Sequence, residues 1–142
     1  MQINESMPDF VVEQVEKLLP HRGKIAVFGL AYKGNIDDVR DSPAVKVAQL
    51  LIERDFTIGI YDPFVQKEKV SLPLSTMENA LTEADLLLIL TDHNEFKQMD
   101  WEKAGKLMRN QIILDTKNCI KKVPSKMNYY SYHNLYSIPK NA

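Results

Sequence analysis

Three short runs in this chain are apolar at every consecutive position: Ile25-Ala26-Val27-Phe28, Leu86-Leu87-Leu88-Ile89-Leu90 and Ile112-Ile113-Leu114. A strand with one wet face alternates apolar and polar residues. A strand with no polar position must be covered on both faces, as it is in a parallel sheet packed between two layers of helices. A further strand-forming run, Thr57-Ile58-Gly59-Ile60-Tyr61, stops at Asp62-Pro63, and a last strand is expected within residues 129–138.

Helical patterns separate these runs. Pro43 opens one helix with Ser42 as its cap, and Ala44, Val47, Ala48, Leu51 and Ile52 form its inner stripe. Ser75 with Glu78 three residues on has the form of a capping box for a helix over 75–82. Another helix spans about 101–108. Residues 1–19 read as a helical lead-in, with Ser6 as cap and Pro8 in its first turn. Phe10, Val11, Val15, Leu18 and Leu19 fall at helical spacing, and Pro20 and Gly23 end the segment. Strands alternating with helices imply βαβ units and right-handed crossovers. The expectation is an α/β, Rossmann-like three-layer domain with a mainly parallel five-stranded sheet in the order 2-1-3-4-5. Ligands of such sheets bind outside the carboxyl ends of the strands, near the point where the strand order reverses. Here that rim is Gly29–Arg40, Asp62-Pro63, Thr91–Asn94 and Asp115–Asn118.

Composition narrows the function classes. With 142 residues, 44% hydrophobic and 26% charged, the chain has the make-up of one ordinary globular domain. Lys and Arg number 18 against 19 Asp and Glu, a net charge of −1, so the basic excess of a nucleic-acid or anionic-membrane binder is missing. No apolar run approaches the ~18–20 residues of a transmembrane helix, and the first ten residues lack the basic and apolar regions of a signal peptide. A single cysteine and three scattered histidines predict neither an internal disulfide nor a structural metal site. The expected location is the cytoplasm.

The loop after the first strand, Gly29–Pro43, is where chemistry is expected. A dinucleotide site wants G-x-G-x-x-G there, so that bare backbone meets the pyrophosphate. This loop has Gly29 and Gly34 with Ala31 between, and the bulky Tyr32-Lys33 pair where bare backbone is needed. Asp62 has the place of a ribose-binding acid, but a strand-ending turn accounts for Asp62-Pro63 more simply. The loop offers side-chain cations instead. Lys33 and Arg40, ahead of a helix N-terminus, can hold phosphates or carboxylates, with Asp37, Asp38 and Asp41 to orient them. A solvated, self-paired charged loop is the competing reading, and both stay open on the residues alone. His93 is read as a turn or helix-cap residue and Cys119 as a buried or incidental thiol. Tyr129-Tyr130-Ser131-Tyr132-His133 is read as an edge strand packing against the lead-in helix.

The stretch KIAVFGLAYKGNIDDVRDSP (24–43) resembles the opening of the C-terminal domain of the UDP-glucose/GDP-mannose dehydrogenase family. It carries G-[LA]-[AS]-[FY]-K followed by D-x-R-[DE]-S-P. Ile60-Tyr61-Asp62-Pro63, Thr91-Asp92-His93-Asn94-Glu95-Phe96 and Asp115-Thr116-Lys117-Asn118 follow in the family's order, and Asn4–Pro8 resembles the end of its long central helix. The segments 34–40 and 115–117 resemble the branch acting on N-acetylated sugars, the UDP-N-acetylmannosamine and UDP-N-acetylglucosamine 6-dehydrogenases.

The resemblance implies residues 1–20 as the tail of the central helix and 21–142 as a nucleotide-sugar-binding domain. Members of the family oxidise the sugar C6 alcohol twice, through a cysteine thiohemiacetal, with NAD held by an N-terminal domain and dimerisation through the central helix. It implies that Tyr32, Lys33 and Lys117 contact a UDP-sugar and that Arg40 reaches toward NAD. The N-terminal glycine fingerprint, the cysteine motif and the catalytic lysine are missing from these residues, so no cofactor and no turnover are expected of this chain alone. The expected partners are a UDP-sugar, the missing NAD domain and, in the intact enzyme, a second copy. A different class remains: a non-catalytic docking module that completes a separately encoded N-terminal half. An independent dinucleotide sensor is a weaker third reading, opposed by the missing glycines.

Overall fold

The computed structural model describes residues 3–40, 42–132 and 134–135. Its elements run α1 (Ile3–Leu18), β1 (Lys24–Phe28), α2 (Pro43–Glu53), β2 (Thr57–Tyr61), α3 (Met77–Leu81), β3 (Leu86–Ile89), α4 (Asn94–Gln98), α5 (Trp101–Leu107), β4 (Ile112–Asp115) and β5 (Asn128–Ser131). The five strands form one sheet in the order β2-β1-β3-β4-β5, every neighbouring pair parallel. The order matches that expected of a doubly wound sheet, and the order reverses between β1 and β3.

The all-apolar runs are explained by two cores. Ile25, Val27, Leu86, Leu88 and Leu114 point to one face, where Val11, Val12 and Val15 of α1 and Val47, Ala48 and Leu51 of α2 cover them. Ala26, Phe28, Leu87, Ile89 and Ile113 point to the other, under Ala80 and Leu81 of α3, Phe96 of α4 and Trp101 and Ala104 of α5. Each fully buried side chain of this kind stabilises the fold by about 1.5–3 kcal/mol, so the central strands hold the domain from both sides.

Three local expectations are corrected. Pro8 lies inside α1, beyond its first turn, and Ser6 falls within the helix. Proline there forgoes only the bond to the carbonyl four residues back, a loss confined to the start of the helix, and its ring is buried. Ser75 does not cap α3: Thr76 does, its Oγ1 accepting from Asn79 N at 3.0 Å, while Ser75 Oγ turns to the Ile60 carbonyl. The short helix α4 lies between β3 and α5, where no helix was expected. Ser42 caps α2 as expected, accepting from Ala44 N at 3.2 Å with Pro43 at the first position. The last strand is the short edge strand β5. Of the rest of its expected span, 132, 134 and 135 are not strand, and 136 to 138 lie outside the described residues, as do Asp41 and His133. Tyr132 meets Phe10 of α1 with ring centres 6.2 Å apart, the packing expected of the aromatic string.

Candidate functional site

The β1–α2 loop is fastened along its length. Gly29 has φ +103°, a conformation open to glycine, and a Cβ there would collide with Thr91. The amides of Leu30 and Ala31 donate to Asp62 Oδ2 at 2.8 and 3.1 Å. Thr91 Oγ1 donates to the Ala31 carbonyl at 3.0 Å, and Ser42 Oγ to the Leu30 carbonyl at 2.6 Å. Further on, Asn35 takes φ +64°. Its amide donates to His93 Nδ1 at 2.8 Å, and its Oδ1 accepts from Asn94 N at 2.9 Å. Gly34 lies so close to Asp92 that a Cβ would stand 2.5 Å from the Asp92 carbonyl oxygen. The loop therefore lies across the β1/β3 switch point, filling the crevice where doubly wound sheets usually hold ligands. What remains for a ligand is its outer surface.

Asp62 is the hub of this fastening. Its side chain is fully buried and accepts five donors. Oδ2 takes Leu30 N, Ala31 N and His93 Nε2 (2.9 Å), and Oδ1 takes Phe64 N and Val65 N (2.8 and 3.1 Å). Because His93 Nδ1 accepts the Asn35 amide, the proton sits on Nε2 and is donated to Asp62. Burial by itself pushes the Asp62 carboxyl upward, but the bonds from His93 and from the Leu30 and Phe64 amides outweigh it and hold the carboxyl below its usual range. The Phe64 ring covers the imidazole at 4.8 Å and Phe96 meets it edge-on at 5.3 Å. His93 is thus the buried residue at the start of α4, as its turn-or-cap reading anticipated. A dinucleotide site does not fit here. The acid that would take the ribose is sealed in, and the first amides of the loop face that acid instead of a pyrophosphate.

Asp115 does for the β4 turn what Asp62 does for β2. Its buried carboxylate accepts from Lys117 N (3.1 Å) on Oδ1, and from Ile120 N (2.9 Å) and the Tyr129 hydroxyl (2.8 Å) on Oδ2. Thr116 Oγ1 donates to the Ile89 carbonyl at 2.7 Å, and Asn118 takes φ +55°. Lys117 is left exposed on the rim.

The four sequence-derived site residues all stand exposed on this rim, on two loops. Tyr32 and Lys33 are adjacent on the outer face of the β1–α2 loop, Tyr32 at 51% exposure. Lys117 follows β4, with β3 between the two loops. Arg40 lies toward the β2 side, its guanidinium forked onto Asp38, with Nε and Nη2 each 3.1 Å from a carboxylate oxygen. This arginine holds the Asp38 carboxyl below its usual range. An open groove of about 390 Å³ lined by Asp37, Asp38, Val39, Arg40 and Lys69 runs beside it. Cys119 is fully buried, and burial, with Asp115 and Asp92 nearby, pushes its thiol up to about 12, which leaves it inert. Among the described residues no group of side chains could hold a metal ion, and no helix is long and apolar enough to cross a membrane.

The fold and rim define a Rossmann-like domain that presents cations on tightly anchored loops. Residues 26–122 match the UDP-glucose/GDP-mannose dehydrogenase family, UDP binding domain, and the chain belongs to that family. It is 42% identical over 123 residues to the UDP-N-acetyl-D-mannosamine dehydrogenase of Methanocaldococcus jannaschii, covering 84% of this chain and 28% of that protein. With the enzyme of the same name from Pyrococcus horikoshii it shares 43% over 128 residues, 86% of this chain and 29% of that protein. The solved UDP-N-acetyl-mannosamine dehydrogenase Cap5O from S. aureus superposes with a TM-score of 0.87 at 37% identity, over 96% of this chain and 32% of that one. The chain spans less than a third of the length of each.

Proposed function

We propose that these residues are the UDP-sugar-binding C-terminal domain of an NAD-dependent nucleotide-sugar 6-dehydrogenase, which oxidises a sugar C6 alcohol to a carboxylate in two steps for surface polysaccharide precursors. In this reading Lys33 and Lys117 meet the sugar nucleotide, with Tyr32 beside it, and Arg40 reaches toward NAD held by polypeptide outside these 142 residues. Residues 1–20 are the tail of the central helix through which the intact enzyme dimerises. The observation that carries the reading is the position of Tyr32 and Lys33. They project from the outer face of a loop that has already filled its own crevice, so the domain offers one wall of a site that a second domain completes. The N-acetylated sugars named for the relatives are the substrates to try first.

Calorimetric titration of this chain with UDP, UDP-N-acetylmannosamine and NAD tests it. UDP and the UDP-sugar bind saturably, and Lys33→Ala or Lys117→Ala each weakens them about tenfold, the worth of one charge-assisted contact. NAD gives no heat. Binding of NAD alone overturns the assignment, and silence toward all three ligands overturns the half-site.

A further inference from the structure

The side chains of Tyr32 and Lys33 are exposed and have no polar partner of their own among the described residues. Of the pair's backbone, only the Tyr32 amide is tied within the loop, donating to the Asp38 carbonyl at 2.6 Å. The residue after them is glycine, and the apolar contacts of the loop lie to either side of the tip, at Ala31 and at Ile36 and Val39. Its place is set by backbone bonds on either side. Before the pair, the Leu30 and Ala31 amides are bound to Asp62 Oδ2. After it, the Asn35 amide is bound to His93 Nδ1. These two anchorages meet in one contact, His93 Nε2 to Asp62 Oδ2 at 2.9 Å, with both side chains fully buried.

A buried carboxylate and imidazole are a costly way to fill a core, since an apolar pair of similar volume is often as stable. What an apolar pair cannot do is fix the two ends of an exposed tip relative to each other. We infer that Asp62 and His93 are positioning residues, a buried clamp that sets where the Tyr32-Lys33 tip stands so that it meets the ligand preformed. The ligand part of this inference rests on the reading of Tyr32 and Lys33 given above; the clamp itself does not. Pre-organisation of this kind is what lets an exposed lysine contribute to affinity, because the loop entropy is lost on folding and not on binding.

The two imidazole nitrogens can be removed separately. An asparagine carbonyl reaches where Nδ1 stands and still accepts from Asn35; a glutamine amide reaches where Nε2 stands and still donates to Asp62. His93→Gln therefore keeps the hub and loosens the tip, which retains only the Asn94 amide's bond to Asn35 Oδ1 and its own Tyr32–Asp38 bond, and His93→Asn keeps the tip. Trypsin reads the difference at the Lys33–Gly34 bond of the full chain, since cleavage follows the population of the open loop. His93→Gln is cleaved there about tenfold faster than the parent, and His93→Asn about as slowly as the parent. Ile113→Val, a core change in β4 far from the tip, serves as the control for general loss of stability.

UDP titration with the same variants gives the second readout. His93→Gln weakens UDP binding, and adding it to a variant with both Tyr32→Ala and Lys33→Ala causes no further loss, because it acts through those two residues. Equal cleavage of the Gln and Asn variants, or cleavage of His93→Gln no faster than Ile113→Val, overturns the clamp. Selective cleavage with no UDP binding by the parent leaves the clamp standing and removes the ligand reading of Tyr32 and Lys33.

Discussion

Asp62 and Asp115 each close a strand with a buried carboxylate that fastens a rim loop. Three donors converge on one oxygen of Asp62 and two on the other. In Asp62→Asn either orientation of the amide turns its NH2 against N–H groups. Urea unfolding at neutral pH should show a loss of about 3 kcal/mol. The pH dependence has a defined sign. The folded-state carboxyl is held below its unfolded value of about 3.9, so its contribution is complete above that pH and disappears as pH falls through the folded value. The gap between the parent and Asp62→Asn should stay constant from pH 7 to pH 5 and shrink below about pH 4. A gap that widens on acidification contradicts the assignment of the carboxylate as the ionised acceptor. None of this hub was visible in the sequence beyond the turn that Asp-Pro announces. Its partners are 31 residues away in His93 and 32 in Leu30, and only the sheet order brings them together.

At the scale of elements, the cap of α3 offers a clean comparison. Thr76→Ala should lower stability by about 1 kcal/mol, the usual worth of an N-cap hydroxyl, whereas Ser75→Ala should cost no more than a few tenths. Urea midpoints of the two variants decide it, and the reverse ranking would restore Ser75 as the cap. The error was one of register: Ser75 and Thr76 are adjacent residues of capping type, and Glu78 lies at the spacing that favours the first. The choice was made by Ser75 Oγ and N turning to the Ile60 carbonyl at the end of the preceding strand. The same contrast runs through the other elements. The strands β1, β3 and β4 were legible because an unbroken apolar run admits one explanation, coverage on both faces. The lead-in helix was legible in its stripe of Val11, Val15 and Leu18 but not in its start, since Pro8 marks the beginning of many helices and is tolerated one turn further in. The helix α4 was not legible: five residues carry too little periodicity to be seen.

At the scale of the whole molecule, the parallel order β2-β1-β3-β4-β5 puts every candidate cation on one rim, while the β1–α2 loop denies that rim the crevice it would normally have. A ligand lying on such a surface is enclosed from one side only, and the area that would give tight binding is not offered by this rim alone. Affinity of the isolated chain for UDP is therefore expected near about 1 mM, and linkage converts that into a measurable quantity. At about 10 mM UDP the folded state gains about 1.4 kcal/mol, which raises the melting temperature by about 5 °C for a domain of this size. NAD at the same concentration should move it by less than about 1 °C, because the acid that would hold its ribose is sealed inside the Asp62 hub. The comparison carries its own control, since both ligands bring a diphosphate and a ribose to the same cations. A shift from NAD as large as that from UDP would mean that charge alone draws ligands to the rim, and that neither the saturated Asp62 nor the filled crevice governs what this domain accepts.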